Sequence, residues 1–175
     1  MPSLPRIVVA RKLASRGQRL GGAVAQEALP RLLDAVLESG PQVTVELQFS
    51  AEEGGKPEIH GQVEARVTLS CERCLKPVEL TLAAEPALGL VRTDAEAETL
   101  PGRLDPCVLP GEDLDLFELV EEELLLALPI VAMHEDASCQ PRLAGANDDD
   151  DADDADDADG TQSPFRVLER LKPRR

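Results

Sequence analysis

Aromatic residues are nearly absent from this 175-residue chain: Phe49, Phe117 and Phe165 are the whole set, with no Trp or Tyr. A core must therefore be built from Leu, Val, Ile and Ala, and the aromatic platforms that stack single-stranded bases are missing. Histidine is almost as scarce, with His60 and His134 alone, so a histidine general base has few candidates. No apolar run approaches the roughly 20 residues that cross a bilayer, and no membrane partner is expected. A Gly-rich phosphate loop, a nucleophile elbow and a helical His-Glu-x-x-His are all lacking. Glu118, Glu121 and Glu122 could hold magnesium in a nuclease, but a charge run on a helix is usually a solvated face. The expectation is a chain that is not an enzyme. Its length suits one domain with tails.

Charge is abundant but unevenly placed. The formal net charge is −16, yet residues 1–92 carry 11 basic and 11 acidic side chains, and residues 93–175 carry 7 and 23. Nine of those acids are Asp residues between Asp148 and Asp159. The first twenty residues carry Arg6, Arg11, Lys12, Arg16 and Arg19 with no acid, and the last ten are again basic. The repeated Asp-Asp-Ala units repel one another and have no apolar periodicity, so residues 144–163 read as a disordered acidic loop. Such a run is either a solubilising spacer or a lure for a basic protein.

Between the ends, periodicity organises the chain. Residues 5–10 are short and β-branched, a candidate strand, and Gly21-Gly22 reads as a break. Pro30 suits the first turn of a helix that carries Leu32, Leu33, Val36 and Leu37 and ends at Gly40-Pro41. Val43, Val45 and Leu47 alternate with polar residues, as do Val63, Ala65, Val67 and Leu69, and then Val78, Leu80 and Leu82. The last two runs flank Cys71-Glu-Arg-Cys74 and predict an antiparallel hairpin with the cysteines at its tip. Residues 93–112 are polar and contain Pro and Gly. Asp113-Leu-Asp115 opens a helix through Leu128, stopped by Pro129. Its packing face is Leu116, Leu119, Val120, Leu124 and Ala127, with Glu118, Glu121 and Glu122 pointing elsewhere and Glu123 close to the apolar stripe. Ser163-Pro164 caps a last helix with Phe165, Leu168 and Leu171 on one side.

Two thiolates two residues apart on a β-knuckle can bind one tetrahedral metal ion, but a full site needs two more ligands. His134 and Cys139 after the long helix would complete a set of Cys71, Cys74, His134 and Cys139, with zinc as the cofactor. Cys107 and His60 are the other candidates. The pair reads equally as small buried hydrophobes. A redox pair fits less well, because the flanks are antiparallel strands rather than a βαβ unit.

Taken in order, these segments resemble the YceD family of bacterial and chloroplast proteins. Val67-Thr-Leu-Ser-Cys71-Glu-Arg-Cys74-Leu-Lys76-Pro77 is similar to its C-x-R-C-x-K/E-P knuckle, and Leu90-Val-Arg92-Thr-Asp94 to its post-hairpin segment. Asp115-Leu-Phe-Glu-Leu-Val120-Glu121-Glu-Glu123 through Leu128-Pro129 is similar to its D-L-x-x-x-V-E-x-E helix, and Pro164-Phe165-x-Val167-Leu168 to its terminal segment. The resemblance implies a non-catalytic factor in the synthesis, processing or stability of 23S rRNA, acting in the cytoplasm on 23S rRNA or a pre-50S particle. It supports the Cys71, Cys74, His134 and Cys139 set, gives Cys107 no counterpart, and speaks against a transit peptide, since residues from about Leu4 onward look like the mature domain. On this reading RNA phosphates meet Arg6, Arg11, Lys12, Arg16, Arg19, Arg73 and Lys76. The alternative is an acidic escort for a basic ribosomal protein. The expected fold is α+β: a small antiparallel sheet or partial barrel packed with one long and two short helices over residues 1–143. The acidic loop over 144–163 would tether a helix, 164–175, that docks back.

Overall fold

A computed structural model describes residues 2–51, 55–136 and 139–140. The Asp-rich segment and the C-terminal helix expected after it lie outside the described residues. In chain order, strand β1 (Ile7–Val9) leads into helix α1 (Ala10–Ser15) and strand β2 (Arg19–Ala25). A 3₁₀ turn at Gln26–Ala28 precedes helix α2 (Pro30–Ala35) and strands β3 (Glu38–Ser39), β4 (Gln42–Ala51), β5 (Pro57–Ser70), β6 (Pro77–Ala84) and β7 (Ala87–Val91). Helix α3 (Asp94–Ala97), strands β8 (Asp105–Val108) and β9 (Asp113–Asp115) and helix α4 (Leu116–Leu126) follow.

The 14-residue β5 organises the main sheet. One of its edges takes β4 along residues 57–64 and then β3 at Val67 and Thr68. The other takes β7 at residues 58–60 and then β6 along 63–70. Strand β2 lies beyond β4 and β8 beyond β7, while β1 and β9 form a separate two-stranded sheet. The alternation read from the sequence sets the faces. Val43, Val45, Leu47 and Phe49 on β4, with Ile59, Val63, Ala65 and Val67 on β5, are buried in one core with Leu29, Leu32, Leu116, Leu119, Val120 and Leu124. Removing each of the Val, Leu, Ile and Phe side chains among them from water stabilises the fold by about 1.5–3 kcal/mol.

The α+β class, the β4 alternation and the hairpin are as the sequence predicts, and Pro30 occupies the first turn of α2. Several expectations are corrected. The sheet is mixed, because β7 and β8 run parallel. Four α-helices occur among the described residues, one of 11 residues and three of 4 to 6, so one long and two short is not the pattern. Helix α2 stops at Ala35, and the chain beyond it turns extended to pair β3 with β5. Residues 113–115 form a strand against β1, so α4 starts only at Leu116. The polar stretch 93–112 holds α3 and β8.

Gly21-Gly22 does not break the chain; it lies inside β2. The reason is a close crossing. Ala23 N–H donates to Pro2 O at 2.9 Å and Leu4 N–H to Ala23 O at 3.1 Å, so residues 2–4 run against β2. A Cβ on Gly22 would lie 2.8 Å from Pro2 O, and only glycine allows the approach.

Two carboxylates fix α4. Asp115 caps it, accepting from Phe117 N–H at 2.9 Å and Glu118 N–H at 3.2 Å and pairing with Arg6 at 2.9 Å. Burial alone would raise its carboxyl; Arg6 and the two N–H groups outweigh that and hold it below the usual range. Glu121, expected on a solvated face, is buried. Its Oε1 accepts from Arg31 N–H at 2.6 Å and Leu32 N–H at 3.1 Å, so it caps the first turn of α2, where Leu29 offers no side-chain oxygen. Glu122, one residue on, makes only an exposed pair with Arg31 at 3.6 Å. Glu121→Ala should therefore lower stability by about 1–3 kcal/mol, since it strands two donors, whereas Glu122→Ala should be close to neutral. Thermal unfolding of the two variants side by side checks this; equal effects would contradict the capping role.

Candidate metal centre

The β5–β6 hairpin ends at Ser70 opposite Pro77, and the six residues between make a tight knuckle. Cys71 N–H donates to Lys76 O at 2.9 Å and Leu75 N–H to Cys71 O at 2.8 Å. Leu75 takes a left-handed conformation, φ 59°, at a cost of roughly 1–2 kcal/mol for a non-glycine residue. The turn is held against that cost by the chain leaving α4. Glu72 N–H donates to Ala132 O at 2.9 Å, and the Arg73 guanidinium donates to Asp136 O and Cys139 O, each at 3.4 Å.

These contacts bring His134 and Cys139 over the knuckle. Cys71, Cys74, His134 and Cys139 present one ligand atom each, all within 4.8 Å of one another. Cys71 Sγ lies 3.8 Å from Cys139 Sγ, and His134 Nδ1 lies 3.5 Å from Cys74 Sγ and 3.7 Å from Cys139 Sγ. With metal–sulfur bonds near 2.3 Å, the edge of a ligand tetrahedron is about 3.8 Å, so these separations fit one ion. His134 Nε2 lies 3.0 Å from Pro77 O. Its N–H donating there leaves the Nδ1 lone pair facing the sulfurs, the outer partner that orients a ligating imidazole.

The electrostatics agree with the geometry. Burial works to raise the Cys71 thiol, but the N–H groups of Cys74, His134 and Arg73, with the His134 ring, bring it down to about 5. Cys139 goes the other way, up to about 11, through burial and then the sulfurs of Cys74 and Cys71. A cation among these sulfurs would favour the ionised form of each thiol that it touches, as it does for coordinating thiols. The four residues named from the sequence are the four brought together.

The remaining candidates lie elsewhere. Cys107 is half-buried on β8, its thiol raised by burial and by Glu122 and Glu123. His60 pairs with Glu58 at 2.9 Å, and Arg103 holds the same carboxylate from 2.8 Å. Glu118, Glu121 and Glu122 do not converge: Glu121 is committed to α2 and Glu122 to Arg31. Glu123 is half-buried, and burial raises its carboxyl, with Asp105 and Glu122 adding to the effect. Of the basic residues, Arg6 is engaged by Asp115 and sits 5.8 Å from the Phe117 ring centroid. Arg11 has its Nε and Nη2 buried, and Arg73 is tied to the backbone carbonyls of Asp136 and Cys139. Lys12, Arg16, Arg19 and Lys76 are exposed. Arg19 lies across from Gln48, itself opposite His60 near the start of β5, whereas Arg73 and Lys76 follow its end. Sequence reasoning missed the Pro77 and Ala132 carbonyls, since a backbone acceptor leaves no residue-type signal.

A hairpin whose Cys-x-x-Cys tip is completed by His134 and Cys139, which follow α4, defines an α+β protein with a metal-competent knuckle. The chain belongs to the family described as large ribosomal RNA subunit accumulation protein YceD, whose model matches residues 59–172. That span starts in β5 and takes in the knuckle, α4 and the His134–Cys139 segment. A protein of Haemophilus influenzae with the same description is 32% identical over 171 residues, covering 97% of this chain and 96% of that protein. No solved structure matches the chain.

The metal reading has a direct check. Protein purified without chelator should carry about one transition-metal ion per chain by elemental analysis, as a closed four-ligand site requires. Cys71→Ser should lose most of it, and Cys107→Ser should keep it. Metal-free wild type under those conditions would leave the cluster as four packed side chains.

Proposed function

We propose that this chain is a non-catalytic cytoplasmic factor that promotes accumulation of the large ribosomal RNA, acting on 23S rRNA or a pre-50S particle. The observation that carries the reading is the near full-length relationship to the Haemophilus influenzae protein of that description. In this reading the knuckle ion is zinc, which suits three thiolates and an imidazole with no open position. It supplies rigidity to the hairpin tip rather than a reaction step. No helix among the described residues is long and apolar enough to cross a membrane. Loss of the chain from its host should lower the ratio of 23S to 16S rRNA, measured on total RNA, with recovery when the gene is restored. An unchanged ratio under fast growth and in the cold would count decisively against the role.

We further propose that direct RNA contact runs through Lys12, Arg16 and Arg19, exposed cations of the arm, of which Arg19 is also steadied by donating to Gln48 Oε1. Arg6, Arg11, Arg73 and Lys76 then act secondarily. Changing Lys12, Arg16 and Arg19 together to Gln should weaken binding to 23S fragments. It should also flatten the dependence of log affinity on log salt by up to about 0.7–0.9 per lost phosphate contact. Filter binding across a salt series reads both, and an unaltered slope would remove these residues from the RNA interface.

A further inference from the structure

The strongest feature the rRNA reading does not use is apolar. Six large hydrophobic side chains stand exposed around the knuckle and the end of α4: Leu37, Leu75, Leu126, Ile130, Val131 and Met133. Ile130 is fully exposed and Leu126 is 81% exposed. Singly exposed apolar side chains are ordinary; those that share one depression mark a surface that meets something. Leu37 and Ile130 line one groove of about 320 Å³, floored by Leu69 and Ala132, with Asp34 and Glu72 also in its wall. No Lys or Arg lines it.

The charges say what can fill it. RNA would bring phosphates against two carboxylates, and the cation next to the groove, Arg73, is already held by Asp136 O and Cys139 O. A second copy would bring the same acidic wall and another net charge of −16, and like charges across an interface oppose association. A basic polypeptide meets both features at once. We infer that the groove between α2–β3 and residues 129–132 is a docking site for a basic protein segment. One apolar side chain of that segment inserts between Leu37 and Ile130, while its flanking Lys or Arg residues face Asp34 and Glu72. None of the arm cations lines this groove, and Arg19 lies near the start of β5, away from the knuckle. Residues 129–132 also lead directly into His134, so the groove wall and the metal-competent cluster share one segment of chain.

The inference rests on the proposed ribosomal role only in the choice of probe. Full-length protein carrying Ile130→p-benzoylphenylalanine is irradiated with the RNA-free protein fraction extracted from large ribosomal subunits, and the cross-linked peptides are identified by mass spectrometry. The expected product joins residue 130 to a Lys/Arg-rich segment of one protein. Binding of a synthetic peptide of that segment should then fall about tenfold or more with Ile130→Asp. Ile130→Leu should retain it, and Asp34→Lys with Glu72→Lys should weaken it most at low salt. Because Ile130 is fully exposed, Ile130→Asp should leave the thermal midpoint unchanged, which separates lost docking from lost folding. Cross-links confined to residues 141–175 of the same chain, to a second copy, to an acidic protein or to nothing would each overturn the inference. The ratio of 23S to 16S rRNA is read independently, so the docking site can fail while the rRNA role stands, and the reverse.

Discussion

The main sheet and the knuckle are registered against β5. It is long enough to carry four partner strands, two in succession along each edge. A one-residue slip anywhere along it would turn Val63, Ala65 and Val67 to solvent and bring Glu64 and Arg66 into the core. That penalty fixes the register, and the register fixes where the knuckle falls. With Val63 opposite Ala84, the pairing runs out at Ser70 and Pro77 and leaves the Cys-x-x-Cys segment as the turn. The position of the two sulfurs is thus inherited from the apolar alternation of the strand that precedes them.

The second half of the cluster depends on α4 in the same way. The helix packs on β5, β6 and α2 through Leu116, Leu119, Val120 and Leu124, and Pro129 forces the chain out of it. The exit leaves Ala132 O and His134 above the hairpin tip, where Glu72 N–H and Pro77 O receive them. Glu121 belongs to this machinery too, because it joins α4 to the start of α2.

Much of this was legible from residue order alone. Period-two alternation marks β4, β5 and β6, and the four ligand candidates follow from residue type and spacing. Other features were hidden for identifiable reasons. Gly21-Gly22 looks like a break because local propensity cannot register that residues 2–4 cross there. The strands β3, β8 and β9 are two to four residues long and have no period to detect. Glu121 sits in a run of three glutamates, and nothing in its type distinguishes the one that faces two backbone donors. The exposed apolar cluster escaped for the opposite reason, since Ile130 and Val131 in a sequence read as core.

Cys74 and His134 are 60 residues apart in the chain, yet their ligand atoms are 3.5 Å apart in space. An ion shared between them is a cross-link closing a large covalent ring that contains β6, β7, β8 and α4. The entropy of closing such a ring depends only on the logarithm of its length, and the sheet and helix already meet most of that cost. The ion therefore has little leverage over whether the domain folds and much over the last few residues it clasps. Its absence would show first as local opening of the segment from Ile130 to Cys139, with the distal sheet intact. The hairpin tip is in this sense a clasp on an already assembled body, and the surface around Ile130 is only as well defined as the clasp is closed.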